Sequence, residues 1–141
     1  MSANLQELYQ DIILEHNRNP HNKHKSPDCN NCHEGYNPSC GDVVTICMVI
    51  EDNVIKDISF TGEGCAISQA SASLMTDLLV GKTRSEALKI INDVCSSLCG
   101  GNGDLSKYGD VCALTGVTKF PMRIKCATLS WHAAESLLHE E

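Results

Sequence analysis

Apolar residues recur at helical spacing at the start of the chain and again through its second half. This spacing predicts helices over residues 4–17, 68–80, 83–94 and 104–114. The first turns of the second helix use alanine and serine almost exclusively, and such small side chains permit close packing of the backbone. A last helix is predicted to begin at Pro121, and one stripe of it carries Met122, Cys126, Leu129 and Ala133.

A β-hairpin is predicted between the first and second helices. β-branched residues dominate residues 42–51 and 54–60, and Glu51-Asp52-Asn53 has the composition of a turn. The stretch before the hairpin, residues 22–39, is polar and rich in asparagine and histidine, with glycine and proline. We expect a long loop there.

Composition limits the class of protein. The chain has 141 residues and a mass of 15.3 kDa, the size of one ordinary domain, so we expect residues 1–141 to form a single domain. A formal net charge of −7 favours a surface that repels polyanions, so neither nucleic acid nor a membrane is expected as a partner. The first residues lack the pattern of an export signal, and no apolar run reaches membrane-spanning length, so we expect a cytoplasmic protein.

Nine cysteines are many for a chain of this size. In a secreted protein they would indicate a disulfide framework, but that interpretation weakens when no export signal is found. In a reducing cytosol, several thiols indicate metal binding or sulfur chemistry more often than cross-links. The cysteines are therefore the residues that say most about function.

Cys40 and Cys65 each have a sequence context that suits a metal ligand. In Cys40-Gly41-Asp42 a thiolate and a carboxylate two positions apart can turn toward one ion, although a surface cysteine beside a turn is the more common interpretation. Cys65 follows Gly62-Glu63-Gly64 at the predicted start of a helix, where backbone amides favour a thiolate. A buried, unreactive cysteine also fits this position.

Cys126 lies on the predicted last helix, close to Arg123, and taken alone it is more typical of a core position. Together with Cys40, Asp42 and Cys65 it would complete a set of three sulfurs and one oxygen that suits tetrahedral zinc. Thiolates also bind iron, so the same set could hold an iron-sulfur cluster. Spacing alone does not show that the four residues meet.

Five blocks of sequence carry a family resemblance. They read LYQDIILEH at residues 8–16, NPSCGD at 37–42, FTGEGCAIS at 60–68, ASAS at 70–73 and FPMRIKCATLSW at 120–131. With these blocks in this order, the chain closely resembles the SufU branch of the IscU/NifU-like iron-sulfur cluster assembly proteins. The resemblance runs over nearly the whole length.

This resemblance implies an α+β fold with a three-stranded antiparallel sheet and helices packed on one face. It implies four metal ligands, which are Cys40, Asp42, Cys65 and Cys126, and these would hold zinc or a transient iron-sulfur cluster. Residues 96–119 resemble an insertion typical of the SufU branch. In the IscU branch a histidine directly precedes the last cysteine, and a Leu-Pro-Pro-Val-Lys segment recruits a chaperone. In this chain Lys125 and Phe120-Pro121-Met122-Arg123 stand at these places. Chaperone-dependent transfer is therefore not implied.

The SufU branch further implies a role as a sulfur acceptor. Zinc on the four ligands keeps the thiolates occupied until the protein docks on a cysteine desulfurase of the SufS type, where a histidine of the partner replaces one ligand. Cys40 is then free to attack the partner's persulfide and receive its outer sulfur. A downstream iron-sulfur carrier or an apo-protein would take the sulfur. The chain would act as a zinc-dependent sulfurtransferase or a cluster scaffold rather than as a stand-alone enzyme.

Two further cysteine pairs, Cys29 with Cys32 and Cys95 with Cys99, lie outside the family pattern. If the two pairs met, they would form a structural zinc-binding module, which is the alternative function. Cys29 and Cys32 could instead form a redox switch or the dithiol of an oxidoreductase. For such pairs no essential role is the more common outcome, and Cys47, on a predicted strand, is expected to pack rather than react.

Overall fold

The computed structural model describes residues 2–26, 29, 31–100 and 105–139, with side chains from residue 7 onward. Helix α1 (Ser2–Arg18) precedes three strands, β1 (Asn31–Asn37), β2 (Asp42–Glu51) and β3 (Val54–Glu63). The second half contains α2 (Ala66–Leu79), α3 (Arg84–Leu98), a 3-10 helix (Ser106–Val117) and α4 (Pro121–His139). The fold is α+β, as the family resemblance implied.

The three strands form one antiparallel sheet in the order β1-β2-β3. The predicted hairpin is confirmed, because β2 and β3 pair from Val43 opposite Glu63 to Glu51 opposite Val54. Asp52 and Asn53 at its turn have φ angles of 54° and 64°. Two successive positive φ angles match the twist of a tight hairpin, and short polar residues tolerate that conformation best.

The helices pack on one face of the sheet. Along residues 42–49 of β2 the even-numbered residues are buried on that face, whereas the odd-numbered ones are half-exposed on the other. Trp131 of α4 is fully buried, and its Nε1 donates a hydrogen bond to Ser71 Oγ of α2 at 2.8 Å. The small residues Ala70 to Ser73 of α2 are also buried, so the close helix packing expected from them is observed.

The long loop predicted for residues 22–39 is wrong in part, because β1 occupies residues 31–37. Residues 27, 28 and 30 of that stretch lie outside the described part of the chain. The burial of β1 alternates, but the inward positions carry His33, Gly35 and Asn37, so the strand lacks the alternation of apolar and polar residues that marks a strand in sequence. Its backbone pairing with β2, from Asn31 opposite Met48 to Asn37 opposite Asp42, is what forms it.

Three helical predictions also need correction. The helix predicted over residues 83–94 continues to Leu98, and the helix expected over residues 104–114 is a 3-10 helix interrupted at Tyr108 and Gly109. Met122, placed on the buried stripe of α4, is 63% exposed. Within the proposed insertion, residues 101–104 are outside the described ranges.

No helix in the described part of the chain combines the length and hydropathy that a membrane span needs.

The start of α3 offers a test of local stability. The Thr83 side chain accepts a hydrogen bond from the Glu86 amide at 3.1 Å, and the Glu86 carboxylate accepts one from the Thr83 amide at 2.9 Å. This reciprocal cap satisfies two amides that the helix itself cannot. We expect Thr83→Ala to lower the free energy of unfolding by about 1 kcal/mol, measured by urea denaturation. Thr83→Ser, which keeps the hydroxyl, should lose less than half as much, and equal losses would contradict the capping explanation.

Candidate metal centre

Cys40 lies on the four-residue turn between β1 and β2. Its backbone amide donates to Asn37 O at 3.4 Å, and the next residue, Gly41, has a φ of +70° with no atom within 4 Å of the position where a Cβ would sit. Glycine adopts this left-handed conformation with little strain, so the turn can close tightly. The Cys40 side chain is half-buried, with part of its surface open to solvent.

Asp42 is the first residue of β2, and its side chain is completely buried. Its Oδ1 accepts hydrogen bonds from the Cys65 amide at 2.8 Å and from Ser68 Oγ at 3.2 Å, and its Oδ2 accepts one from Asn37 Nδ2 at 3.3 Å. Burial alone would raise the pKa of Asp42, but the hydrogen bonds, led by that of the Cys65 amide, together hold it below its usual value. The carboxyl group is therefore held as a buried anion.

Cys65 precedes the first turn of α2 as its N-cap residue. Its Sγ accepts a hydrogen bond from the Ser68 amide at 3.4 Å, and the side chain is half-buried. Gly64 just before it has a φ of +152°, and a Cβ at that position would overlap the Asp42 carboxylate. The absence of a side chain at Gly64 is thus what allows the carboxylate of Asp42 to lie against the Cys65 amide.

Cys126 lies in the second turn of α4 and is fully buried. Its Sγ is 3.2 Å from Cys40 Sγ and 3.6 Å from Asn37 Nδ2. Burial, and after it the hydrogen bonds with Cys40 and Asp42, raise the pKa of Cys126 far above that of an ordinary thiol. An anionic sulfur at this position requires a compensating positive charge.

Three of the four predicted ligands therefore come together. The ligand atoms of Cys40, Asp42 and Cys126 all lie within 4.8 Å of one another. Cys65 is outside that group, although its thiol still interacts with the Cys126 thiol and its amide binds Asp42. Cysteines separated by 86 positions along the chain are thus neighbours in space.

The chain matches a known protein family. The family described as the NifU-like N terminal domain matches residues 8–127. The chain belongs to this family. The matched region includes all four of the predicted ligand residues and every described element except residues 2–7 of α1 and residues 128–139 of α4.

Individual members of the NifU-like family align over nearly the whole chain. The zinc-dependent sulfurtransferase SufU of Bacillus subtilis is 43% identical, covering 99% of this chain and 95% of its own. The iron-sulfur cluster assembly scaffold protein IscU of Streptococcus pyogenes is 38% identical, covering 96% and 86%. A crystal structure of a SUF-system protein from Fervidobacterium islandicum AW-1 superposes with a TM-score of 0.85 at 34% identity, covering 90% of this chain and 93% of that one.

The residues of this NifU-like site suit a thiophilic metal ion. Zinc bonds to thiolate at about 2.3 Å, so two sulfurs of a tetrahedral site lie about 3.8 Å apart, close to the 3.2 Å between Cys40 and Cys126. The buried carboxylate of Asp42 supplies a negative oxygen beside them.

The alternative zinc module is not formed. Among the described residues, three groups have possible ligand atoms within 4.8 Å of one another, and neither Cys95 nor Cys99 belongs to any of them. Burial raises the pKa of Cys95 to about 12, which disfavours the thiolate that zinc requires. Cys29 and Cys32 instead lie close to Cys47, so the expectation that Cys47 only packs is wrong. The third group, His16, His21 and Asp77, lies where α1 meets α2.

Asn37 and Ser68 are contacts of the site that the sequence did not indicate. Asn37 Nδ2 reaches both Asp42 Oδ2 and Cys126 Sγ, and Ser68 Oγ donates to Asp42 Oδ1. Both residues stand inside the sequence blocks that carry the family resemblance, which was the available signal. Neither is a metal ligand by type, so their role became visible only when their hydrogen-bond partners were known.

Proposed function

We propose that this chain is an iron-sulfur cluster assembly protein that accepts sulfur from a cysteine desulfurase on Cys40, within a zinc site formed by Cys40, Asp42, Cys65 and Cys126. The observation that carries the proposal is the convergence of Cys40, Asp42 and Cys126 at a place where Cys40 keeps access to solvent. The likeness to SufU of Bacillus subtilis, whose name states zinc-dependent sulfur transfer, supports the same role.

Cys40 is the sulfur best placed to react. Cys126 is fully buried, so a second protein cannot reach it without a change in the fold. The Cys65 sulfur caps α2, and its amide is held by Asp42, so its backbone has little freedom. Cys40 stands on a turn beside Gly41 and is free of such an anchor on its sulfur except for the contact with Cys126.

The transfer is a nucleophilic displacement at sulfur. The Cys40 thiolate attacks the outer sulfur of the desulfurase persulfide, forming a new sulfur-sulfur bond while the bond inside the persulfide breaks. The desulfurase cysteine leaves as a thiolate and takes up a proton, and Cys40 carries the persulfide. No electrons are gained or lost overall, so the step needs no separate oxidant or reductant.

The residues around the sulfurs keep the site ready for this step. Zinc, when bound, supplies the positive charge that holds the thiols in their anionic form. Asn37 and Ser68 fix the two oxygens of Asp42, so that the carboxylate keeps one orientation beside the sulfurs. The short turn that carries Cys40 lets its side chain move while Asp42 and Cys126 stay in place.

A groove beside the site suits a docking protein. Its lining includes Cys65, Ile67, Val117, Phe120 and Arg123. Phe120 is 58% exposed and adds an aromatic side chain to the groove, a residue type enriched in protein interfaces. We infer that a desulfurase docks over this groove and presents its persulfide to Cys40.

A scaffold role is the second candidate, because the IscU relative of Streptococcus pyogenes is named for it and the same ligand set would serve. Thiolates bind iron as well as zinc, and the carboxylate ligand would make a cluster more labile than four thiolates would. Anaerobic incubation with ferrous iron, cysteine and a desulfurase separates the two roles. A cluster that forms and then transfers intact to an apo-protein favours the scaffold.

The direct test is persulfide mapping. The purified chain, with its zinc content measured, is incubated with a cysteine desulfurase and cysteine, and its thiols are then alkylated and analysed by mass spectrometry. We expect about one zinc ion per chain and an added sulfur on Cys40. Addition confined to other cysteines, for example the exposed Cys99, would contradict the proposal.

A further inference from the structure

A second cluster of sulfurs lies at the edge of the sheet, formed by Cys29, Cys32 and Cys47. Cys32 of β1 and Cys47 of β2 are directly opposite each other in the ladder, with Cα atoms 4.1 Å apart, and are joined by a disulfide. Cys29 Sγ lies 3.6 Å from Cys32 Sγ. A free thiol is thus in contact with one sulfur of a disulfide.

This cluster is separate from the candidate metal centre. Cys47 is five residues beyond Asp42 on β2, a distance of about 17 Å along an antiparallel strand. The two side chains also point to opposite faces, because Asp42 is buried toward the helices and Cys47 is half-exposed on the outer face. The cluster therefore cannot exchange sulfur directly with Cys40.

Cys29 is held next to the disulfide as a neutral thiol. Its Sγ is within hydrogen-bonding distance of two carbonyl oxygens, those of Asn31 at 3.2 Å and Met48 at 3.3 Å. Burial raises the pKa of Cys29, which disfavours the thiolate in this position. A protonated thiol reacts slowly with a neighbouring disulfide. The bridge and the third cysteine can therefore coexist until Cys29 becomes exposed to solvent and loses its proton.

We propose that Cys29, Cys32 and Cys47 form a thiol–disulfide exchange site. In the exchange, Cys29 loses its proton to solvent and attacks Cys32 Sγ, so that a Cys29–Cys32 bond forms and the Cys32–Cys47 bond breaks. Cys47 leaves as a thiolate and takes up a proton. The number of electrons does not change in this step.

Forming a disulfide from the three free thiols, or reducing it again, requires a small-molecule thiol–disulfide couple. Two of the thiols form the bridge by giving two electrons and two protons to a low-molecular-weight disulfide, which becomes two thiols, and the reverse reaction reopens it. A metal site on the same three sulfurs is disfavoured by the bond between Cys32 and Cys47, because a bonded sulfur is not a thiolate ligand.

The exchange changes how the edge strand is attached. The Cys32–Cys47 bond links β1 covalently to β2, whereas a Cys29–Cys32 bond lies within one segment and leaves no covalent link between the two strands. β1 ends at Asn37, which contacts Asp42 and Cys126. Which disulfide is present among Cys29, Cys32 and Cys47 therefore affects the strand that positions part of the metal centre.

Disulfide mapping in glutathione buffers tests this site. Cleavage after Glu34 and Glu51 separates Cys47 from the peptide that contains Cys29 and Cys32. A Cys32–Cys47 bridge then links two peptides, whereas a Cys29–Cys32 bridge lies within one peptide. In the full-length chain, trapped by acid alkylation, we expect both bridges. Cys29→Ser should leave only the link between the two peptides, and Cys47→Ser only the bridge within one peptide.

Cys112→Ser is the matched control, because Cys112 is also half-buried but lies in the 3-10 helix. It should show the wild-type pattern. Hydrogen exchange in β1 should be faster in oxidised Cys47→Ser than in oxidised Cys29→Ser, and this readout also reveals a variant that fails to fold. Three free thiols at every glutathione ratio would overturn the proposal.

Cys126→Ala removes a ligand of the candidate metal centre. A zinc ion that this variant still holds on Cys29, Cys32 and Cys47 would overturn the exchange proposal as well. Persulfide mapping on Cys40 is a separate measurement, so the exchange site and the sulfur-acceptor role can fail independently. We expect Cys29→Ser to accept sulfur on Cys40 as the wild type does.

Discussion

Sulfur transfer from a desulfurase to the chain is expected to fall about 100-fold or more when Cys40 is replaced by serine, because a hydroxyl at neutral pH is a far weaker nucleophile than a thiolate. The measurement is the initial rate at which labelled sulfur from cysteine appears on the chain in the presence of the desulfurase. Cys99→Ser removes a more exposed thiol and should change the rate less than about twofold, since Cys99 lies at the end of α3, outside the site.

Loss of zinc is the competing explanation for that result, because Cys40 is also a proposed ligand. Asp42→Asn separates the two effects. It removes the negative oxygen and should weaken metal binding, yet it keeps both the Cys40 nucleophile and an acceptor for the Cys65 amide. Sulfur should still appear on Cys40 in Asp42→Asn. If Cys40→Ser accepts sulfur as fast as the wild type, another cysteine is the acceptor.

Zinc affinity is expected to fall about 100-fold or more in Cys126→Ala, exceeding the loss that a supporting residue causes. Cys126 is completely buried, so no other side chain or bulk water can easily replace its sulfur. Competition with a chelator measures the affinity, and circular dichroism checks the fold. Cys112→Ala is the control, because it removes a half-buried sulfur that contacts Tyr9 at 3.1 Å, away from the site.

Asn37→Ala provides an intermediate case in the same assay. Its amide contacts both Asp42 and Cys126 without being a ligand, so its loss should lower zinc affinity by about 10- to 100-fold. The order expected is therefore Cys112→Ala with the smallest effect, then Asn37→Ala, then Cys126→Ala. Unchanged affinity in Cys126→Ala would exclude this cysteine as a ligand.

The hairpin was predictable because its strands obey a simple rule. After Asp42, the even-numbered residues of β2 face the helices and are apolar, and the positive φ angles of Asp52 and Asn53 agree with their residue types. β1 follows no such rule. Only Asn37 among its residues is buried, so the strand depends on pairing with β2 and on packing against α4, which are long-range contacts that the local sequence does not encode.

Residue types suggested the four candidate ligands, but only the resemblance to a family implied that they meet. Taken singly, Cys126 is a core residue by position, and the structure indeed buries it completely. What makes it a candidate ligand is the distance of 3.2 Å to Cys40, which depends on how α4 packs against β1 and β2. The cluster of Cys29, Cys32 and Cys47 was not predicted, because it also depends on long-range packing: the register of β1 and β2 places Cys32 opposite Cys47.

The polar character of β1 also affects how copies of this protein behave in solution. An outer strand leaves half of its amides and carbonyls without a neighbouring strand, and a second molecule can pair with them. In β1 the exposed face carries Glu34, and Gly35 interrupts the strand. A charge and a glycine both oppose pairing of this edge with a second molecule. The polar composition that makes β1 hard to recognise in the sequence therefore also disfavours association through this edge.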